Sequence, residues 1–224
     1  MSNIFMKPVK HHKWLIIISP ILFLFSSCFG VSLEISLNQN GSGIIALEYQ
    51  VSRAIESLGK LDGNERWNTI PVGREDFERT MDRLPGMKLL SFSSKENEKN
   101  LITNAKMEFN NLQALQTFLD AGGRRSSFSG DARSGHIFMT LTEGNDKENA
   151  GLTKLLAEIS ENYAVKITMD FPSAGNLKIT NNKGLPLTEI PGSEIVSSGK
   201  KVSCSFPLYA VLSSTEGINV ELQW

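Results

Sequence analysis

Between residues 31 and 51 the chain alternates apolar and polar side chains with a period of two, and no other feature constrains its fold as strongly. Val31, Leu33, Ile35 and Leu37 fall on one side of an extended strand, with Ser32, Glu34 and Ser36 on the other. After Asn38-Gln-Asn-Gly-Ser-Gly43 the alternation resumes through Ile45, Leu47, Tyr49 and Val51. Successive side chains of a strand point to opposite faces, and Asn, Gly and Ser supply turn conformations, so this segment is a β-hairpin with one apolar face. A lone hairpin is marginal in water, so further strands or helices must cover that face.

The remaining chain supplies them. Phe77, Met81 and Leu84 repeat at helical spacing over 74–84, and Pro85-Gly86 ends the run. Residues 87–92 and 101–109 read as strands joined by the polar segment 93–100. Asn111 is placed to cap a helix carrying Leu112, Leu115, Phe118 and Leu119, and Gly122-Gly123 closes it. Strands follow over 124–130 and 136–142, then a helix over 148–163 and a strand over 165–171. Residues 52–72 resist placement: Ala54, Ile55 and Leu58 suggest a short helix, and Gly63 and Pro71 a loop around Trp67. From about residue 165 the character becomes β-rich, with short strands expected at 177–180, 184–187, 201–206 and 218–224 and one helical turn or corner at 207–213. The pattern predicts an α+β fold, a curved, mostly antiparallel sheet with about three helices packed on one face. Residues 28–224 form one body on this reading, a length able to bury a sizeable core.

Ahead of that body stands a different kind of segment. Residues 1–27 carry Lys7, Lys10 and Lys13, no acid, and an apolar run from Trp14 to Phe25 interrupted by Pro20. A membrane-spanning helix needs roughly 20 apolar residues, so this shorter run is an export signal and not a permanent span. The residues Leu24-Phe25-Ser26-Ser27-Cys28 resemble the lipobox of bacterial lipoproteins. Phe25 stands where the usual pattern has Leu, as in the looser lipoboxes of spirochaete lipoproteins. The resemblance implies cleavage between Ser27 and Cys28, diacylglycerol on the Cys28 thiol, and a chain held to a membrane of the cell envelope, at the periplasmic face or the outer membrane. Two acyl groups there would satisfy the requirement for stable anchoring. Ordinary secretion, with cleavage near Ser26, Ser27 or Gly30 and Cys28 incidental, is the alternative.

Removing the three signal lysines from 23 basic residues leaves 20 against 24 acidic ones, about −4 for the mature chain. No basic footprint for nucleic acid remains. Of three histidines, His11 and His12 leave with the signal, so His136 alone cannot build most metal sites or histidine-based triads, and no metal or cofactor is expected. His136 shares a strand face with Phe138 and Thr140 and reads as structural. Glu75, Asp76, Glu78 and Asp82 lie among Arg74, Arg79 and Arg83 at spacings that form surface ion pairs. Gly41, Gly43, Gly122, Gly123 and Gly184 are turn residues, since none opens a phosphate-binding helix. With Cys28 acylated, Cys204 has no disulfide partner; alternation with Val202 and Phe206 buries it as an inert thiol. The weak candidates for ligand contact are Trp67, as a loop aromatic, and Arg124 and Arg125, which with Arg133 could form a small basic patch for a phosphate.

Leu33 to Val51, Phe171-Pro172, Asn181-Asn-Lys-Gly184 and the terminal Leu222-Gln-Trp224 carry a likeness over nearly the whole mature chain: it resembles the domain of LppM-type bacterial lipoproteins. Residues 64–86 depart from that pattern. The likeness implies an envelope lipoprotein with a lipid- or glycolipid-binding body and no catalysis. The expectation is therefore a membrane-anchored, non-enzymatic module that binds a lipid or amphipathic ligand; the alternative is a structural or assembly lipoprotein that contacts another envelope protein.

Overall fold

The computed structural model describes residues 29–53, 73–120, 125–144, 158, 160 and 162–224. Within them the fold is α+β and mostly sheet, with eleven strands, nearly all antiparallel, and three helices. The strands are β1 (Phe29–Leu37), β2 (Gly43–Ser52), β3 (Met87–Glu96), β4 (Asn100–Phe109), β5 (Ser126–Gly130), β6 (Gly135–Thr142), β7 (Ala164–Asp170), β8 (Asn176–Thr180), β9 (Glu194–Ser198), β10 (Lys201–Pro207) and β11 (Ile218–Gln223). The helices are α1 (Arg74–Asp82), α2 (Leu112–Leu119) and α3 (Leu208–Ser213). The strands divide between two open sheets, a refinement of the single curved sheet expected: seven in the order β3-β4-β2-β1-β7-β10-β9, and four in the order β5-β6-β11-β8.

Strand registers turn the alternation into layers. Ile35 stands opposite Ile45 and Met169; Ile45 faces Met107, and Met169 faces Val202. All five are buried and share one face of the larger sheet. The same positions one residue along, Glu34, Glu48, Lys106, Lys166 and Lys201, are exposed on the other. A one-residue slip would exchange the two sets, which is why the register is well specified. The smaller sheet contributes Ile137, Met139, Ile179, Val220 and Leu222 to the same core.

The helices are fixed by short-range chemistry. Asn111 Oδ1 accepts the Ala114 backbone N–H at 2.8 Å, satisfying one orphan donor of α2, while Leu115 is buried beneath it. In α1, Phe77 and Met81 are buried, and the ion pairs Arg74–Glu78 (2.7 Å) and Arg79–Asp76 (3.6 Å) lie on its solvent side, as their spacing predicts.

Trp224 closes the fold. Its indole stacks on Phe171 at 4.9 Å and on Phe128 at 6.0 Å between ring centroids, and its backbone pairs with Gly135 in both directions. A Cβ on Gly135 would fall inside van der Waals contact of three indole carbons, and one on Gly175 would strike the Phe171 ring. These two positions are glycine because aromatic rings cover them.

Three expectations are corrected. The strands of the β3–β4 hairpin run into the segment read as a polar connection, leaving a turn of only Asn97, Glu98 and Lys99. Residues 184–187 form no strand; they touch β8 through one isolated bridge, Thr180 to Pro186. β9 was not foreseen, because Ile195 and Val196 are adjacent and break the alternation. The short helix suggested near residues 54–58 lies outside the described residues, as does most of the helix expected over 148–163.

Candidate functional site

Four places could carry chemistry or contact. The first is an open groove of about 400 Å³ on the outer face of the larger sheet, floored by Ser32, Ala46, Ser91 and Ser93 and bordered by Glu48 and Lys106. Its small residues make the recess, and its lining mixes polar side chains with Ala46, Leu47, Phe92 and Ala105. The second is an apolar recess between α2, β5 and β6, lined by Leu115, Leu119, Phe128 and Ile137, which has no room for a water molecule.

The third lies on the smaller sheet. His136 Nε2 stands 3.9 Å from a Glu221 carboxylate oxygen, and the buried Thr180 hydroxyl donates to the other oxygen of Glu221 at 3.3 Å. Next to it, Asn181 Oδ1 accepts the backbone N–H groups of Lys183 (2.9 Å) and Leu185 (3.0 Å), its amide donates to Glu216, and Asn219 donates to the Asn181 carbonyl. These bonds stitch the β8 turn to β11 and account for the Asn181-Asn182 pair as turn architecture. Among the described residues no three His, Cys, Asp or Glu side chains gather as a metal would require.

The fourth is the β9 edge. All five of its residues are exposed, and Ile195 (47%) and Val196 (55%) are two of the four large hydrophobics left in water among the described residues. Unpaired strand edges recruit other strands unless something blunts them. The opposite edge, β3, carries a bulge between Leu89 and Ser91 with Lys88 and Lys95 alongside. In the smaller sheet the β8 edge is covered, since the Leu187 N–H donates to the Ile179 carbonyl at 3.0 Å, and β5 lies beside α2. β9 has no bulge, proline or lysine within it.

Comparison with protein families, with curated proteins and with solved structures finds no match.

Of the residues singled out from sequence, Ser27, Cys28, Trp67 and Arg124 lie outside the described residues. Arg125 is exposed, and its backbone N–H donates to Asp120 Oδ1 at 2.9 Å. Arg133 sits in the β5–β6 turn, where its N–H and that of Ser134 bond the Asp131 carboxylate and hold it below its ordinary pKa. Arg125 stands opposite Thr140 at the far end of β5, so the two arginines are separated by roughly 17 Å of strand and do not form one patch. Cys204 is buried, free of a disulfide, and its thiol is pushed up to about 12 by burial, as expected of an inert core cysteine. Tyr49 is likewise pushed up to about 12 by burial, against a hydrogen bond with Thr103 that lowers it. No helix among the described residues is long and apolar enough to cross a membrane.

Sequence reasoning passed over Ile195 and Val196. The signal that could have found them is the pair itself, two β-branched apolar residues flanked by Glu194 and serines between Gly192 and Gly199.

Proposed function

We propose that this chain is a bacterial envelope lipoprotein, anchored by lipid on Cys28, whose body is a non-catalytic module that contacts another envelope protein along β9. The segment 1–27 and the Ser26-Ser27-Cys28 junction support export and anchoring. The observation that carries the contact is the β9 edge: among the described residues it has no bulge, lysine or covering segment, and it presents Ile195 and Val196 to solvent. An extended segment of a partner would add to the sheet there, with backbone bonds supplying affinity and the two apolar side chains specificity.

The lipid-holding alternative needs an apolar cavity of roughly 300 Å³ or more. Neither recess described above supplies it, since the larger groove is open and of mixed lining and the apolar recess admits no water.

A photo-crosslinking amino acid at position 196, introduced in the full chain expressed in its native envelope, tests the proposal. One discrete protein adduct, lost when Ile195 is changed to Lys, is expected, together with an intact mass showing acylated Cys28. A lipid recovered at one per chain beyond the anchor, with no protein adduct, would overturn it.

A further inference from the structure

The anchor and the fold together fix which end of the body meets the membrane. Cys28 is the residue immediately before β1, and consecutive Cα atoms are about 3.8 Å apart, so a diacylglyceryl group on its thiol leaves no linker between lipid and sheet. Phe29 pairs with Val51, and Val51 in turn with Leu101. The Arg53 N–H donates to the Lys99 carbonyl at 2.8 Å. The Tyr163 ring lies against Gly30, and its hydroxyl donates to Asn100 Oδ1 at 2.7 Å. Arg53, Lys99, Asn100 and Tyr163 thus crowd around the first residues of β1, which sits at the centre of the sheet.

We propose, resting on the anchored reading above, that this end is a membrane-docking face that takes the phosphodiester headgroups of the bilayer. The side chains suit that layer. Arg53 and Lys99 are exposed cations able to meet phosphate oxygens, and a tyrosine with an apolar body and polar tip belongs at a membrane–water boundary. Arg53 holds its place through Asn97, whose carbonyl accepts from Nη1 at 3.4 Å, and through Glu96 at 3.6 Å. The competing pose lays the outer sheet face flat on the bilayer. That face mixes Glu34, Glu48, Glu108 and Asp170 with Lys88, Lys106, Lys166 and Lys201, all exposed, so charge does not draw it onto the phosphates. With no linker between the lipid and β1 to let the body swing over, it stands on the end of its sheet, and the Asn38–Ser42 turn points away, roughly 30 Å from the headgroups for a strand of nine residues.

The test uses the full chain purified from native membranes and reconstituted in phosphatidylcholine vesicles containing headgroup spin-labelled lipid. Glu98→Cys and Gln39→Cys each receive a fluorophore; both positions are exposed turns, and neither is a cation of the docking end. Quenching at residue 98 at least several-fold greater than at residue 39 is expected. Equal quenching at the two sites, with lipid on Cys28 confirmed by intact mass, overturns the orientation and leaves the anchor standing. An unmodified Cys28 overturns both.

Discussion

Replacing Gly135 by alanine should destabilise the protein, although the same change in most strands stabilises it. The Gly135 backbone does not occupy the left-handed region, so an alanine fits its dihedral angles and should gain about 0.4–1 kcal/mol by restricting the unfolded chain. Against this, the new methyl group would fall inside contact distance of three Trp224 carbons. The indole cannot retreat: it is 8% exposed, is stacked on Phe171 and Phe128, and belongs to the residue whose backbone pairs with Gly135. Overpacking a filled core costs about 1–3 kcal/mol, so the net change should be a loss of roughly 1–2 kcal/mol. Shrinking the ring separates the two effects. In a Trp224→Leu background, itself less stable by a few kcal/mol, Gly135→Ala should become neutral or stabilising, a coupling of about 1.5–3 kcal/mol between the sites. Urea unfolding followed by far-ultraviolet circular dichroism would read all four proteins through their midpoints. If Gly135→Ala costs the same with tryptophan and with leucine at 224, ring contact is not what makes residue 135 a glycine.

The remaining predictions concern buried polar groups. Cys204 should resist a maleimide at pH 7.5 in the folded protein and react within minutes in denaturing urea; fast labelling of the native protein would contradict its burial. Stability should fall in alkali. Cys204 and Tyr49 each hold a proton more tightly when folded (about 12) than when unfolded (ordinary values 9.0 and 10.0), so their contribution is complete below about pH 9 and is lost as the pH climbs to 12. Urea midpoints should therefore drop between pH 9 and 11, with the onset moved toward pH 10 in Cys204→Ala; a flat profile would refute the assignment. Asn181→Ala should cost about 1–2 kcal/mol, because the N–H groups of Lys183 and Leu185 lose an acceptor that is itself 5% exposed. Equilibrium unfolding would measure it, and a change under 0.5 kcal/mol would mean water replaces the side chain.

Local patterns carried much of the fold into view. The β1–β2 hairpin, the buried faces of β4, β6 and β10, the Asn111 cap and the stop at Pro85-Gly86 each follow from spacing within a dozen residues. Pairing over long distances did not show. Nothing in Val31-Ser-Leu-Glu-Ile says that its second neighbour is Val165-Lys-Ile-Thr-Met, or that this pairing is parallel, because the period of a strand specifies its faces and not its partners. β9 was invisible for a different reason: exposed on both faces, it has no apolar stripe to recognise. Arg133 is parted from Arg125 because a strand carries the chain away between them.

The parallel pairing of β1 with β7 also sets an order of events. Val31 meets Val165, 134 positions later, yet β1 is the middle strand of seven. Residues 29–109 contain the strands of β3-β4-β2-β1, but that half-sheet ends in β1 with its apolar flank open and its backbone groups on one side unpaired. Only when β7 arrives does the gap close, and β10 and β9 then extend from it. Such long loop closure slows folding and lengthens the time in which a sticky intermediate exists. A chain made on a ribosome therefore spends the synthesis of more than half its length with its central strand unfinished, and truncation before residue 164 should give aggregates in place of a smaller domain.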